Sequence, residues 1–68
     1  MGRYDLVSVE VIVIVEKDTS VEVEQGGKRL YLPLSQLGDD SDGLTEGAPA
    51  TLYIPRWLAD DRELEYGD

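Results

Sequence analysis

The first part of the chain alternates between valine and other residues. Valine occupies positions 7, 9, 11, 13 and 15, and this period of two, together with β-branching, predicts a β-strand. The opposite positions mix polar and apolar residues: Ser8, Glu10 and Glu16 beside Leu6, Ile12 and Ile14. The strand is therefore apolar on both faces around Ile12 and Ile14. A barrel closure, a helix or another chain is needed to cover this second apolar face.

Two further strands follow in hairpin order. The polar segment 16–20 predicts a turn, after which Val21 and Val23 alternate with glutamates. A Gly26-Gly27 pair supplies the positive φ angles that tight hairpins favour. The next strand covers 29–34, with leucines on one face and Arg29 and Tyr31 on the other. These turns predict a meander of three antiparallel strands.

The second half predicts one more strand and a helix. Pro33 lacks the N–H group that a central strand needs for its hydrogen bonds, so regular strand pairing is expected to end there. The following segment, 38–47, is rich in glycine and acidic residues. Its aspartates resemble a calcium loop, but the spacing from Gly43 does not fit the ligand positions, so a solvated loop is expected. Residues 50–54 alternate as a strand, and Pro55 can open a helix over 56–64.

We expect the sole tryptophan, Trp57, to share a side with Leu58 and Leu64 and to plug the core. The alternative is an interface role, because tryptophan is enriched at interface hot spots. Residues 65–68 are predicted to be a frayed acidic tail. Together the elements predict one domain over 1–68, ordered over 5–64. Its class is mostly β, a small barrel of SH3-like or OB-like kind with four to five antiparallel strands and a short C-terminal helix.

Two blocks of the sequence carry a resemblance to other proteins. The segments 30–37 (LYLPLSQL) and 52–59 (LYIPRWLA) resemble a group of short bacterial and phage proteins. That group shares a strand-Pro-x-Ser-Gln block and a strand-Pro-x-Trp-Leu-Ala block. The resemblance covers about two-thirds of the chain and implies a similar fold. It implies no activity, since the group has none assigned, and Leu34 departs from the basic residue frequent there.

Composition narrows the chemistry. The 68 residues contain no cysteine and no histidine. Disulfides, thiolate metal sites and the usual neutral-pH general base are therefore excluded. No serine has a partner that would activate it as a nucleophile. We expect no enzyme activity, no catalytic residues, no cofactor and no metal.

Charge and hydropathy bear on partners and location. Fifteen acidic against six basic residues give a net charge of −9, which repels nucleic acid and anionic membranes and attracts basic partners. The same charge would also serve solubility alone. The apolar run 11–15 is too short for a signal peptide or a membrane span. We expect a cytoplasmic protein without a membrane partner.

The leading functional hypothesis is an interaction module that binds another protein or a second copy of itself. Its candidate interaction residues are Ile12, Ile14, Arg29, Tyr31 and Trp57. One alternative is an acidic decoy that mimics DNA and inhibits a nucleic-acid enzyme, with carboxylates in place of phosphates. The acids concerned are Glu10, Glu16, Glu22, Glu24, Asp39, Asp40 and Asp42. A further alternative, disfavoured by the charge, is weak single-stranded nucleic-acid binding by Lys28, Arg29 and Tyr31.

Overall fold

A computed structural model describes residues 5–67 of the chain. Within that range lie four strands and a C-terminal helix, so the prediction of a mostly-β chain with one short C-terminal helix is confirmed. The strands are β1 (Leu6–Glu16), β2 (Ser20–Gln25), β3 (Lys28–Pro33) and β4 (Pro49–Pro55). A 3-10 helix (Leu34–Gln36) follows β3, and α1 (Arg56–Asp61) follows β4.

The four strands form one antiparallel sheet in the order β3-β2-β1-β4. Three strands joined by hairpins, followed by a fourth that returns beside the first, make a Greek key. Gly26 and Gly27 have φ values of 59° and 83° and make the two-residue β2–β3 turn. Across residues 5–67 the sheet is open, because β3 and β4 remain its two edges.

The long strand β1 changes partner along its length. Its first part, from Leu6 to Ile12, pairs with β4, and its last part, from Ile12 to Glu16, pairs with β2. A bulge between Val13 and Val15 shifts the register. Val15 therefore lies opposite Glu22 instead of sharing the face of Val13, which corrects the strict alternation expected from the sequence. A bulge inserts one residue into a strand and thereby reverses the faces that follow it.

One face of the sheet, here called the inner face, carries the core. It buries alternate residues of every strand, and the segment around α1 packs against it. The buried hydrophobic residues are Val7, Val9, Val11, Val13, Val21, Val23, Leu32, Ala50, Leu52, Ile54, Leu58, Ala59 and Leu64. No helix of the described chain is long and apolar enough to cross a membrane.

Trp57 is not the core plug that the sequence predicts. Its side chain is 58% exposed, whereas Leu58 and Ala59 are buried. With about 100° of rotation per residue, Pro55, Leu58 and Ala59 share one side of the helical turn, and position 57 lies on the other side. Leu58 and Leu64 therefore cover the sheet without the tryptophan.

The C-terminal segment is better anchored than the expected frayed tail. The backbones of Ser8 and Gly67 exchange hydrogen bonds in both directions, at 2.9 and 2.8 Å. The amide of Gln25 holds the backbone of Glu65, donating to its carbonyl at 2.9 Å and accepting from its N–H at 2.8 Å. Residues 65–67 thus lie beside the first half of β1, the half that β2 does not pair with. Asp68 lies outside the described residues.

The free edge of β4 is covered by segment 38–42. The N–H of Tyr53 donates to the Ser41 hydroxyl at 2.8 Å, and the Tyr53 carbonyl accepts from the Gly38 N–H. One residue pair further, Thr51 and Asp42 make two such bonds, one of them from the Thr51 N–H to the Asp42 carboxylate at 2.9 Å. This part of the acidic loop therefore satisfies a sheet edge, as edge strands require.

Candidate binding groove on the outer sheet face

The second face of the sheet, the outer face, is the one that α1 does not cover. Strand registers place Arg29, Glu24, Ile12 and Pro49 side by side in one row across it. Ile12 is 39% exposed at the centre of this row. An exposed isoleucine in the middle of a sheet is uncommon, because a sheet face that meets water usually carries polar side chains.

Two adjoining depressions in this face form what we call the groove. The first has a volume of about 380 Å³, and its lining includes the apolar residues Ile12 and Pro49 and the carboxylates of Glu10, Glu24 and Asp42. The second, of about 370 Å³, extends toward the C-terminal segment. Its lining residues are Ser8, Glu10, Gln25, Glu65, Tyr66 and Gly67. Glu10 and Gln25 line both depressions.

The groove exists because β1 and β2 separate. Their pairing ends at Ile12 and Glu24, so Gln25 no longer meets a ladder partner on β1. The Gln25 side chain spans the gap instead, donating to the Glu10 carbonyl at 3.2 Å and to the Glu65 carbonyl at 2.9 Å. The gap between the strands therefore contains a hydrogen-bonded amide, and Gln25 lines both depressions.

The groove is uniformly acidic. Glu10, Glu24, Asp42 and Glu65 supply four carboxylates, and no lysine or arginine lines either depression in the described chain. The three ion pairs found between described residues lie elsewhere: Lys28 with Glu63, Arg56 with Asp5, and Arg62 with Asp61. None of these ion pairs includes a groove carboxylate, and among the described residues Arg29 opposite Glu24 is the one basic neighbour that the strand register gives to them. The groove therefore keeps a net negative charge, and such a surface attracts cations and cationic side chains.

The structure brings only some of the predicted interaction residues together. Ile12 lies in the groove, but Ile14 is half-buried at the bulge and does not line it. Arg29 and the 48%-exposed Tyr31 lie on the same outer face, opposite Glu24 and Glu22 on the neighbouring strand. Trp57 is exposed on α1 and is not part of the groove.

Sequence reasoning missed two groove residues and did not connect a third with Ile12. Gln25 carries no signal beyond its place before the glycine turn, and the sequence predicts that Glu65 lies in a frayed tail. Asp42 is one of the acids of the decoy hypothesis and part of the segment that resembles a calcium loop, but neither pattern places it beside an apolar residue. Within residues 5–67, no group of three or more acidic residues is arranged to hold a metal ion.

One carboxylate outside the groove has a shifted pKa. Asp5 accepts from the Arg56 guanidinium at 2.7 and 3.3 Å. That hydrogen bond lowers the pKa of Asp5 below its ordinary 3.8; desolvation acts in the opposite direction, and the positive charge of Arg56 adds to the lowering. Arg56 also lies 5.4 Å from the centre of the Tyr66 ring. The interaction thus connects the start of β1 to α1 and the C-terminal segment.

The Asp5–Arg56 pair gives a pH-dependent contribution to stability. A lowered native-state pKa means that the pair stabilises the fold above the unfolded-state pKa of Asp5 and stops doing so as pH falls through the native-state pKa. We expect Asp5→Asn to lower the free energy of unfolding at neutral pH, and the difference from the native chain to vanish in acid. Urea unfolding at a series of pH values measures this. A difference that stayed constant down to the lowest pH would contradict it.

Comparisons with known proteins identify no relative. No family model matches the chain, and neither a curated protein nor a solved structure matches it significantly. The resemblance to short bacterial and phage proteins therefore stays a prediction.

Proposed function

We propose that this chain is a non-enzymatic interaction module that binds a basic protein partner through the groove. The observation that carries the proposal is an exposed isoleucine, Ile12, that lines a depression together with three carboxylates. A basic side chain has an apolar stem and a charged head, and so matches an apolar floor with an acidic rim. Protein binding also fits the net charge of −9, which steers basic partners toward the surface.

Self-association through Ile12 and Ile14 is less favoured. Two copies meeting face to face would bring their groove carboxylates together, and like charges in an interface cost several kcal/mol. The half-burial of Ile14 also reduces the apolar area that such a dimer would cover. Light scattering over a range of protein and salt concentrations separates the cases. A dimer that persists at every salt concentration would favour apolar self-association over a basic partner.

The acidic decoy remains a second candidate, since Glu10, Glu22 and Glu24 lie on the same outer face as Asp42 at the groove rim. Competition distinguishes the two candidates: a decoy competes with DNA for a nucleic-acid enzyme, whereas a peptide-binding module does not. Nucleic-acid binding by Arg29 and Tyr31 is disfavoured, because glutamates lie directly opposite both residues. Phosphates approaching that patch would meet these carboxylates.

The wider proposal concerns fold class and location. We propose a half-open barrel of SH3-like or OB-like kind, supported by the single-sided core and by the way β1 shares its length between two partners. A cytoplasmic location is part of the proposal and rests on the absence of cysteine. No membrane partner and no cofactor is proposed.

The proposal predicts binding of a cationic polymer and its loss on one substitution. Poly-L-lysine is expected to bind the native chain, with an affinity that falls steeply as salt rises because most of the attraction is between charges. Ile12→Lys is expected to weaken this binding about tenfold, since it removes the apolar floor and places a like charge against the ligand. Isothermal titration calorimetry measures both effects, with poly-L-glutamate as the negative ligand.

Thr45→Lys is the matched control. It adds the same charge at an exposed loop position that does not line the groove. If both variants weaken binding equally, the groove is not the binding surface. If poly-L-lysine does not bind the native chain even at low salt, the proposed function is wrong.

A further inference from the structure

We infer, on the basis of the proposed function, that the groove takes an extended partner segment with two basic side chains on the same side. One side chain enters each depression, and the Gln25 amide lies between them. The bound partner segment thus has a stated backbone conformation, extended, and a stated spacing between its two basic side chains. Both follow from the shape of the groove and from the residues that the two depressions share.

The floor of the groove follows β1. Ser8, Glu10 and Ile12 occupy alternate positions on the outer face of that strand. Ser8 lines the second depression, Ile12 lines the first, and Glu10 lines both. A strand rises about 3.3 Å per residue, so these positions span about 13 Å. An extended segment of four or five residues has this length. Its alternate side chains point the same way, about 7 Å apart.

The first depression offers both kinds of surface that a lysine or arginine side chain matches. Ile12 and Pro49 offer apolar surface to the methylene stem, while Glu10, Glu24 and Asp42 supply carboxylates in the same lining. One Asp42 oxygen already accepts from the Thr51 N–H at 2.9 Å, so this carboxylate is held in position before a ligand arrives. A rim group fixed in advance loses little entropy on binding.

The second depression is also acidic and shares Glu10 with the first. Its carboxylates are those of Glu10 and Glu65, and its wall is the C-terminal segment. That wall is fixed by the Ser8–Gly67 backbone pairing and by the hydrogen bonds of Gln25 to Glu65. Gln25 is therefore a positioning residue, because it separates the depressions and holds the wall of one of them.

The spacing is tested with two peptides of equal composition and charge. Acetyl-Ala-Lys-Ala-Lys-Ala-amide places both lysines on one side of an extended chain, whereas acetyl-Ala-Lys-Lys-Ala-Ala-amide places them on opposite sides. The affinity of the native chain for each is measured by amide chemical shifts during titration at low salt. We expect the first peptide to bind at least several-fold more tightly, and the shifts to concentrate on residues lining both depressions.

Three variants locate the effect, and one of them is a matched control. Glu10→Gln removes the carboxylate shared by both depressions, and Glu46→Gln removes an exposed loop carboxylate outside them. We expect the preference between peptides to disappear in Glu10→Gln and to persist in Glu46→Gln. Gln25→Ala is expected to reduce that preference while leaving poly-L-lysine bound, a result that a purely electrostatic surface would not give.

The outcomes separate this inference from the proposed function. Equal affinity for the two peptides, or no binding of either while poly-L-lysine binds, overturns the two-site extended mode and leaves a basic partner in place. Equal effects of Glu10→Gln and Glu46→Gln also overturn it. If poly-L-lysine itself does not bind, the proposed function is wrong, and this inference is wrong with it.

Discussion

Val13→Lys is expected to unfold the domain, whereas Ile12→Lys one position earlier is expected to leave it folded. Val13 is fully buried in the core, and Ile12 is 39% exposed on the outer face. An uncompensated charge in a protein interior costs several kcal/mol. A domain of 68 residues has a total stability of only about 3–10 kcal/mol. At position 12, the ammonium group instead reaches water and lies beside groove carboxylates.

Circular dichroism and urea unfolding of the two variants measure this contrast. Loss of the cooperative transition in Val13→Lys together with a native-like transition in Ile12→Lys is the expected result. An unfolded Ile12→Lys would mean that the outer face is covered within the chain, and the groove would then not exist as described. This measurement also validates the use of Ile12→Lys in binding experiments.

Leu58→Ala is expected to cost about 2–5 kcal/mol, because it removes a side chain that is only 1% exposed and leaves a cavity. Trp57→Ala, the neighbouring substitution, is expected to cost no more than about 1 kcal/mol, since most of the indole already meets water. Helix α1 has six residues and is too short to be stable by itself. Its attachment therefore depends on Leu58 and the residues packed beside it.

Thermal and urea unfolding of both variants decide which residue anchors the helix. The reverse order, with Trp57→Ala the more damaging substitution, would restore the core role expected from the sequence. A small effect of Leu58→Ala would contradict the packing of α1 against the sheet.

The groove changes the significance of the exposed apolar residues. The sequence suggested an apolar second face that needs a cover, but only Ile12 of the pair Ile12 and Ile14 remains open at the groove. The acidic residues around it lie on different strands and loops, so their clustering is a property of the fold. Three of them line the same depression as Ile12, which a solubility role for the charge would not require.

Local sequence determined most of the secondary structure. The alternating valines of β1, the glycine pair between β2 and β3 and the proline before α1 each act over a few residues, through side-chain alternation or allowed φ angles. Such signals predicted the strands, the hairpins and the inner face. They also predicted that Ile12 and Ile14 lie on a second apolar face that needs a cover.

Only the tertiary structure decided the features that make the groove. The bulge after Val13, the return of the 65–67 segment to Ser8 and the two-sided hydrogen bonding of Gln25 join residues far apart in the chain. No local preference encodes them, because each depends on where β1 and β2 separate. The predicted core position of Trp57 was wrong because tertiary packing sets the orientation of the helix. The side of α1 that covers the sheet carries Pro55, Leu58 and Ala59, and Trp57 lies on the opposite side.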